Sequence, residues 1–364
     1  MKLSDIKKVL FLWIGYVLTI NIYTFILAYL HKIPVKEVTI KEVCFGLWGY
    51  WWDGMHYISI AQHGYRYPEQ AFFPLYPLII KFLDIFLPLT FAYRINVILL
   101  AAVLVLLHLF MQYLNIQQKF RTLLLFLAFP TAFFLQANYT ETIYIFLAVL
   151  GLIFLLKKKY LYAAVFAGLL SATKISGISL GIVVLISFFI NRDKSKGWLN
   201  FGLLLFGIAL VSFSGIFLYA LYLNQHWGSF LIFFRAQDEW GRSISITGGN
   251  LLYQIYNAIK TYDLYAFRRV GEIFSFILVV WAAFKSYKKI AFEIWLFSLF
   301  QILIPLSSGT FLSFNRLVFL CFPFLLIGLD KFAKNKVVFC VVLALFFLCQ
   351  LLGIYLFLSN YFIG

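Results

Sequence analysis

The residues best suited to chemistry lie in the segment 48–77, WGYWWDGMHYISIAQHGYRYPEQAFFPLYP, between two strongly hydrophobic regions. Asp53 is accompanied there by His56, His63 and Arg66 and by many aromatic side chains. A carboxylate at a membrane boundary can act as a general base that deprotonates an acceptor hydroxyl, and aromatic rings suit a lipid or a sugar. Asp53 is therefore the first candidate for a catalytic group. The alternative is that Asp53 caps the N-terminus of a helix that runs through His56.

The two histidines are seven residues apart, so on a helix they share one face with Ile60. His56 and His63 are candidates for binding a phosphate oxygen, as is Arg66, and either histidine could instead orient Asp53. The alternative is that they are interfacial side chains, wetted on one side. A metal site would need a third ligand at suitable spacing, and none is evident nearby. No cofactor is predicted, and metal dependence stays open.

Two further charged residues lie next to apolar segments, where an unpaired charge is costly. Glu141 follows a short polar turn and is either a helix-end contact or part of a site wall. Lys174 is a lone cation between two apolar segments, and it is a candidate partner for a phosphate or for an acid.

Two later positions add to the candidate site. Residues 234–242, FRAQDEWGR, mix both charge signs with a tryptophan, as expected of a site rim, and Gln237, Trp240 and Arg242 are its candidate substrate ligands. Arg316 precedes an apolar run, and its guanidinium is suited to bidentate phosphate binding. The alternative for Arg316 is a side chain that snorkels to the lipid headgroups.

The composition indicates an integral membrane protein. Of the 364 residues 63% are hydrophobic and only 12% are charged, and the mean hydropathy is +0.93. A soluble chain of this length could not bury so much apolar surface. The net charge of +16 comes from short basic clusters between apolar segments, which indicates positive-inside topology rather than a nucleic-acid-binding face. Neither phosphate-binding loop motif of soluble nucleotide enzymes occurs in the chain.

The apolar runs predict an all-α, polytopic membrane fold of about eleven transmembrane helices, since a span needs about 20 apolar residues. The whole chain, residues 1–364, is expected to form one domain. The predicted spans are residues 9–30, 95–114, 121–136, 139–156, 160–173, 175–190, 198–223, 269–284, 290–306, 317–329 and 337–358.

Threading these spans from a cytoplasmic N-terminus leaves two long segments outside, residues 31–94 and 224–268, which hold most of the acids. This holds only if residues 71–90, with three prolines, form an interfacial or re-entrant helix instead of a span. The site is then extracytoplasmic, in the cell membrane if the source is prokaryotic. Cells supply activated groups on lipids at that face, which favours a lipid-linked substrate.

Six sequence blocks, in this order, carry a resemblance to a known family: WWDGMHYISIAQHGY, AFFPLYPLI, FPTAFFLQANYTETIY, SATKISGISL, FRAQDEWGRS and FNRLVFLCFP. The chain resembles the PIG-V-like mannosyltransferases, the family of GPI mannosyltransferase 2 and its prokaryotic relatives. That family belongs to the GT-C superfamily of glycosyltransferases that use polyprenol-phosphate sugars. The first two blocks, joined at short spacing, are the most specific.

The resemblance implies an inverting transfer of mannose from a polyprenyl-phosphate-mannose donor to a lipid-linked or glycan acceptor. It assigns the family's essential first-loop aspartate to Asp53, as the base, and a ligand of the lipid phosphate to Arg316. Where relatives tend to have an arginine, this chain has Lys174, which keeps the charge but loses the bidentate fork.

Two other functional classes remain open. A transporter or flippase of lipid-linked saccharides would use the same groups for binding alone, and acids in mid-span or an inverted repeat would favour it. Neither is evident in the sequence. A structural subunit of a larger assembly would leave Asp53 dispensable.

Overall fold

A computed structural model describes residues 2–35, 38–49, 51–192, 197–241, 256, 266–308 and 312–363. These residues form helices and connecting turns and no β-strand, so the predicted all-α fold is confirmed for this part of the chain. In chain order the α-helices are α1 Leu3–Tyr29, α2 Ile40–Cys44, α3 Asp53–His63, α4 Leu75–Asp84, α5 Leu89–Ala92, α6 Ile95–Phe110, α7 Lys119–Ala128, α8 Glu141–Leu156, α9 Tyr160–Ser171, α10 Ile178–Ile190, α11 Trp198–Ser212, α12 Ser214–Trp227, α13 Ile232–Asp238, α14 Ala266–Ser286, α15 Phe292–Leu306, α16 Phe314–Leu317, α17 Phe322–Lys334 and α18 Lys336–Leu358. Short 3-10 turns are formed by Gly46–Trp48, Glu69–Ala71, Met111–Leu114, Ala132–Leu135, Ile175–Gly177 and Val318–Cys321.

Three stretches of the described chain are helical, long and apolar enough to cross a membrane: α1, Leu89–Leu114 and α18. A fourth candidate is the pair α11 and α12, which is bent by 61° at Phe213. Four shorter helical stretches are also apolar: Glu141–Leu156, Tyr160–Ser171, Ile175–Ile190 and Phe292–Leu306. The protein is therefore a helical membrane protein, but the predicted count of about eleven spans is not confirmed.

Several predicted spans are broken because the backbone leaves the helix inside them. The span expected at residues 121–136 ends at Ala128, shortly before Pro130. Gln350 of α18 donates its amide hydrogens to the carbonyls of Leu127 and Phe129, both at 2.9 Å, and so satisfies carbonyls that the helix has released. Such compensation by a neighbouring helix is what an apolar surrounding demands of a broken helix.

The segment 71–90 contains no helix of spanning length, in agreement with its prediction. Its main element, α4, has ten residues, whereas a span needs about 20. Tyr76 and Ile80 of α4 are buried, while Leu78 and Phe82 on the other face are exposed. An element that is apolar on both faces is suited to contact with lipid.

Helices α9 and α12 approach each other closely through small residues. A Cβ atom at Gly215 would overlap the carbonyl oxygen of Gly168, and it would lie 2.7 Å from Ser171 Oγ and 2.8 Å from Ala172 Cβ. Small residues at such contacts let the backbones of membrane helices pack directly together. This packing fixes the end of α9, from which the chain continues to Lys174.

Replacing Gly215 by alanine is expected to destabilise the protein, because the added methyl group has no space. Overpacking of this kind costs about 1–3 kcal/mol. Gly207→Ala is the matched control, since a Cβ atom there meets no atom within 4 Å. Thermal unfolding in detergent checks this, with a lower midpoint expected for the Gly215 variant alone; equal midpoints would contradict the close packing.

Candidate active site

A cavity of about 940 Å³ lies where several helix ends meet. Its walls come from the start of α3, the chain around Lys174, α13, the end of α15 and the chain around Arg316. Aromatic and aliphatic side chains form most of the wall, with a few charged groups among them. This combination, an apolar pocket with a few polar groups, is typical of sites for small ligands.

Four charged side chains form a continuous ion network at this cavity. Arg316 Nη1 donates to Asp53 Oδ2 at 2.7 Å, and Arg316 Nε lies 3.4 Å from Glu141 Oε1. Lys174 Nζ donates to the same Glu141 oxygen at 2.6 Å. The side chains of Glu141 and Arg316 are 0% and 4% exposed, and those of Lys174 and Asp53 are 18% and 21% exposed. Each buried charge thus has an opposite partner, as charges away from water require.

Asp53 is the first residue of α3 and not its cap, so the capping alternative is wrong. The cap position belongs to Trp52, and no side chain caps the helix. The Asp53 carboxylate is instead directed at Arg316. The N-terminal turn of a helix also carries a partial positive charge that favours a carboxylate.

Arg316 is buried in a short helix, α16, so the snorkelling alternative is wrong. The Tyr139 and Phe134 rings lie 4.9 and 5.6 Å from its guanidinium carbon. Just before it, the Ser313 N–H donates to Glu272 Oε1 at 2.7 Å and fixes the turn into α16. Burial acts to lower the pKa of Arg316, but the nearby Asp53 and Glu141 carboxylates outweigh it and hold this pKa above its ordinary value. Arg316 is therefore a permanent cation.

Lys174 extends from the turn between α9 and the 3-10 turn Ile175–Gly177 and lines the cavity. Burial lowers its pKa below the ordinary value, and the neighbouring Glu141 carboxylate offsets part of this effect. Of the two partners predicted for Lys174, the structure contains the acid, Glu141. Glu141 itself does not line the cavity, because it lies behind Lys174 and Arg316.

The predicted histidine pair is split by the structure. His56 lines the cavity, stacks on Phe72 with ring centroids 4.9 Å apart, and has Nδ1 3.6 Å from Glu69 Oε1. His63, at the end of α3, is exposed and lies outside the cavity wall. Arg66 is also exposed and outside it, and its described contacts are made by its backbone: its N–H donates to Glu69 Oε2 at 2.9 Å, and its carbonyl oxygen accepts from the Glu69 N–H at 2.6 Å. Of these three predicted ligands, only His56 reaches the cavity.

Helix α13 and the residues after it form the predicted rim. Gln237 lines the cavity and donates to the carbonyl of Ala71 at 3.3 Å, which attaches α13 to the first long loop. The Trp240 ring lies edge-on to His56, with centroids 5.2 Å apart. Arg235 and Asp238 of this segment also line the cavity, although neither was singled out from the sequence. Arg242 lies outside the described residues.

Some residues around the site were not found from the sequence. Glu69, which contacts His56, and Glu272, which holds the turn before Arg316, are both buried acids. An acid in an apolar chain is a signal in itself, but its partner is set only by the tertiary fold. Within the described ranges, no three or more His, Cys, Asp and Glu side chains are grouped as metal ligands would be.

Comparison with known proteins gives one match. The family model described as Mannosyltransferase (PIG-V) matches residues 35–262, which include Asp53, Glu141 and Lys174. Arg316 lies beyond the matched region. No curated protein and no solved structure matches the chain.

Replacing Glu141 by glutamine is expected to destabilise the protein strongly, because Lys174 and Arg316 then lose the buried carboxylate that both of them contact. Removing one partner of a buried ion pair costs about 3–5 kcal/mol. The matched control is Glu42→Gln, at a half-exposed position of α2 with no ion pair among the described residues. Thermal unfolding in detergent measures both; a Glu141 variant as stable as the control would contradict the charge balance described above.

Proposed function

The chain belongs to the mannosyltransferase (PIG-V) family, and on this premise we propose a specific reaction for it. The protein transfers mannose, with inversion, from a polyprenyl-phosphate-mannose donor to a lipid-linked or glycan acceptor at the extracytoplasmic face of the membrane. Asp53 is the general base of this reaction. Arg316 and Lys174 bind the donor phosphate.

The observation that supports this reaction best is the ion pair of Asp53 and Arg316 at the cavity wall, in which Arg316 Nη1 lies 2.7 Å from Asp53 Oδ2. A single displacement needs one base on the acceptor side and positive charge on the leaving-group side. Asp53 takes the proton of the acceptor hydroxyl as the acceptor oxygen bonds to the anomeric carbon of mannose. The bond from that carbon to the phosphate oxygen breaks, and polyprenyl phosphate leaves with the bonding electron pair. Arg316 and Lys174 stabilise the negative charge that develops on it.

The pairing of the proposed base with the proposed phosphate ligand links binding to chemistry. The Asp53 carboxylate contacts Arg316 Nη1. A donor phosphate that binds Arg316 competes with Asp53 for guanidinium hydrogens. In this scheme the carboxylate then turns from Arg316 towards the acceptor hydroxyl, so that donor binding prepares the base.

The other residues of the cavity suit the two remaining parts of the substrates. Apolar side chains from the end of α15 and from α16 line part of the cavity, among them Ile304, Pro305 and Leu317, and they suit the polyprenyl chain. His56, Gln237 and Trp240 line another part, where polar and aromatic groups suit a sugar. His63 and Arg66 lie outside the cavity wall and have no place in this scheme, whereas Arg242, which lies outside the described residues, stays a candidate substrate ligand.

The competing classes differ in their product. A flippase or a structural subunit forms no glycosidic bond, whereas the proposed enzyme forms a new mannosyl product and free polyprenyl phosphate. Purified protein in detergent with synthetic polyprenyl-phosphate-mannose and a glycolipid acceptor decides between them. The same assay with and without a chelator decides metal dependence.

Asp53→Asn is expected to abolish transfer, because the amide cannot take the acceptor proton. A general base contributes a factor of about 10²–10⁴ to the rate. The assay measures mannosyl product per enzyme, with expression, membrane insertion and thermal unfolding as checks on the fold. Asp84→Asn, at an exposed acid of α4, is the matched control and should keep full activity. Near-normal turnover of the Asp53 variant would refute its role as the base.

Arg316→Lys is expected to weaken donor binding, and Arg316→Ala is expected to weaken it further. Lysine keeps the charge but not the fork, and alanine removes both. A loss of tenfold or more in donor affinity corresponds to at least about 1.4 kcal/mol. Binding of a non-transferable phosphonate analogue of the donor measures this directly. Arg66→Ala, at an exposed arginine outside the cavity wall, is the control; unchanged donor affinity in both Arg316 variants would count against the phosphate role.

A further inference from the structure

The chain between the 3-10 turn Ala132–Leu135 and α8, residues 136–140, is a loop that is buried throughout. A buried loop needs partners for its backbone carbonyls, and here two side chains provide them. Arg94 Nη1 donates to the carbonyl of Gln136 at 2.7 Å. Asn96 Nδ2 donates to the carbonyls on either side of residue 138, at 2.7 and 2.6 Å. The loop is thus held rigidly from the start of α6.

Asn138, in the middle of this loop, contacts the start of α3. Its Nδ2 donates to the carbonyl of Gly54 at 2.6 Å, and its backbone N–H donates to the carbonyl of Trp48 at 3.4 Å. Between these two contacts the chain turns sharply at Trp52, which has a φ of 52°. A tryptophan in that conformation is strained by about 1–3 kcal/mol, and the surrounding contacts must hold it there. Asn138 provides two such contacts.

The same loop, together with the first residue of α8, also contacts the Arg316 guanidinium. The Tyr139 ring lies 4.9 Å from the guanidinium carbon, and Glu141, which follows the loop, lies 3.4 Å from Nε. One rigid segment therefore sets both the position of Arg316 and, through Asn138, the position of the helix start that carries Asp53.

From this geometry we propose that Asn138 is a positioning residue, which holds the Asp53 carboxylate at its distance from Arg316 through the hydrogen bond to the Gly54 carbonyl. Its consequence for catalysis rests on the proposed function. Asn138 is fully buried and does not line the cavity, so it touches no substrate. Its loss is expected to lower the rate of the chemical step without weakening the binding of the donor.

Asn138→Ala is expected to lower kcat by about 10- to 100-fold, because a misplacement of the order of 1 Å has effects of that size. The KM for polyprenyl-phosphate-mannose should not rise, because a loosened Asp53–Arg316 pair competes less with the donor phosphate for Arg316. Asn138→Ser, which is too short to reach Gly54 but keeps a small polar group, provides a second, milder variant. Asn200→Ala, at an exposed position of α11, is the matched control and should leave both constants unchanged. A wild-type kcat in both Asn138 variants, or a kcat loss that merely follows the loss of folded protein, overturns the proposal.

A second measurement does not depend on the reaction. If Asn138 sets the Asp53–Arg316 contact, the loss of thermal stability caused by Asp53→Asn becomes smaller once Asn138 is replaced, because the ion pair is already loosened. The four unfolding midpoints of wild type, the two single variants and the double variant give this coupling. Additive shifts overturn the positioning role even if transfer is observed. Coupled shifts support it even if the wild-type protein consumes no polyprenyl-phosphate-mannose, a result that would refute only the proposed function.

Discussion

The burial of Arg316 is the constraint on which the rest of this site depends. A permanent cation that is 4% exposed requires negative charge beside it, and Asp53 and Glu141 supply that charge from different parts of the chain. Glu141 is itself fully buried and shares one oxygen with Lys174, so the second cation is needed as well. Four segments distant in sequence must therefore meet at one point. Asp53 and Arg316 are 263 residues apart, and their contact ties the first long loop to the last third of the chain.

The four charged residues at this meeting point lie at helix ends and in turns. Asp53, Glu141 and Arg316 all lie in the first turns of helices, and Lys174 lies in the turn that follows one. Helix ends and turns expose backbone groups that need partners, and inside a membrane such irregular backbone is tolerated only where protein buries it or where it lines a cavity. The cavity at these helix ends meets that condition, because Asp53, Lys174 and Arg316 line it and Glu141 is buried.

The sequence predicted the charged residues of the site better than their partners. Glu141, Lys174 and Arg316 stand out because a charge is rare and costly beside apolar segments, and that signal needs no structure. Helical periodicity also put His56 and His63 on one face, but periodicity does not say where a cavity ends, and His63 lies beyond it. Asn138 gave no usable signal, because its role comes from a carbonyl of a residue 84 positions away. The predicted number of spans is not confirmed, because hydropathy records apolar character and not the breaks within it.

The ion network also constrains how the proposed reaction can proceed. Two carboxylates and two cations balance each other in this network, so no excess positive charge is kept buried. A donor phosphate adds negative charge, and in the proposed reaction it displaces a carboxylate from its cation. Glu141 is enclosed by Lys174 and Arg316 and has no solvent path, whereas Asp53 is the more exposed acid and faces the cavity. In the proposed reaction Asp53 is therefore the carboxylate that yields its place to the phosphate, and the same carboxylate then acts as the base.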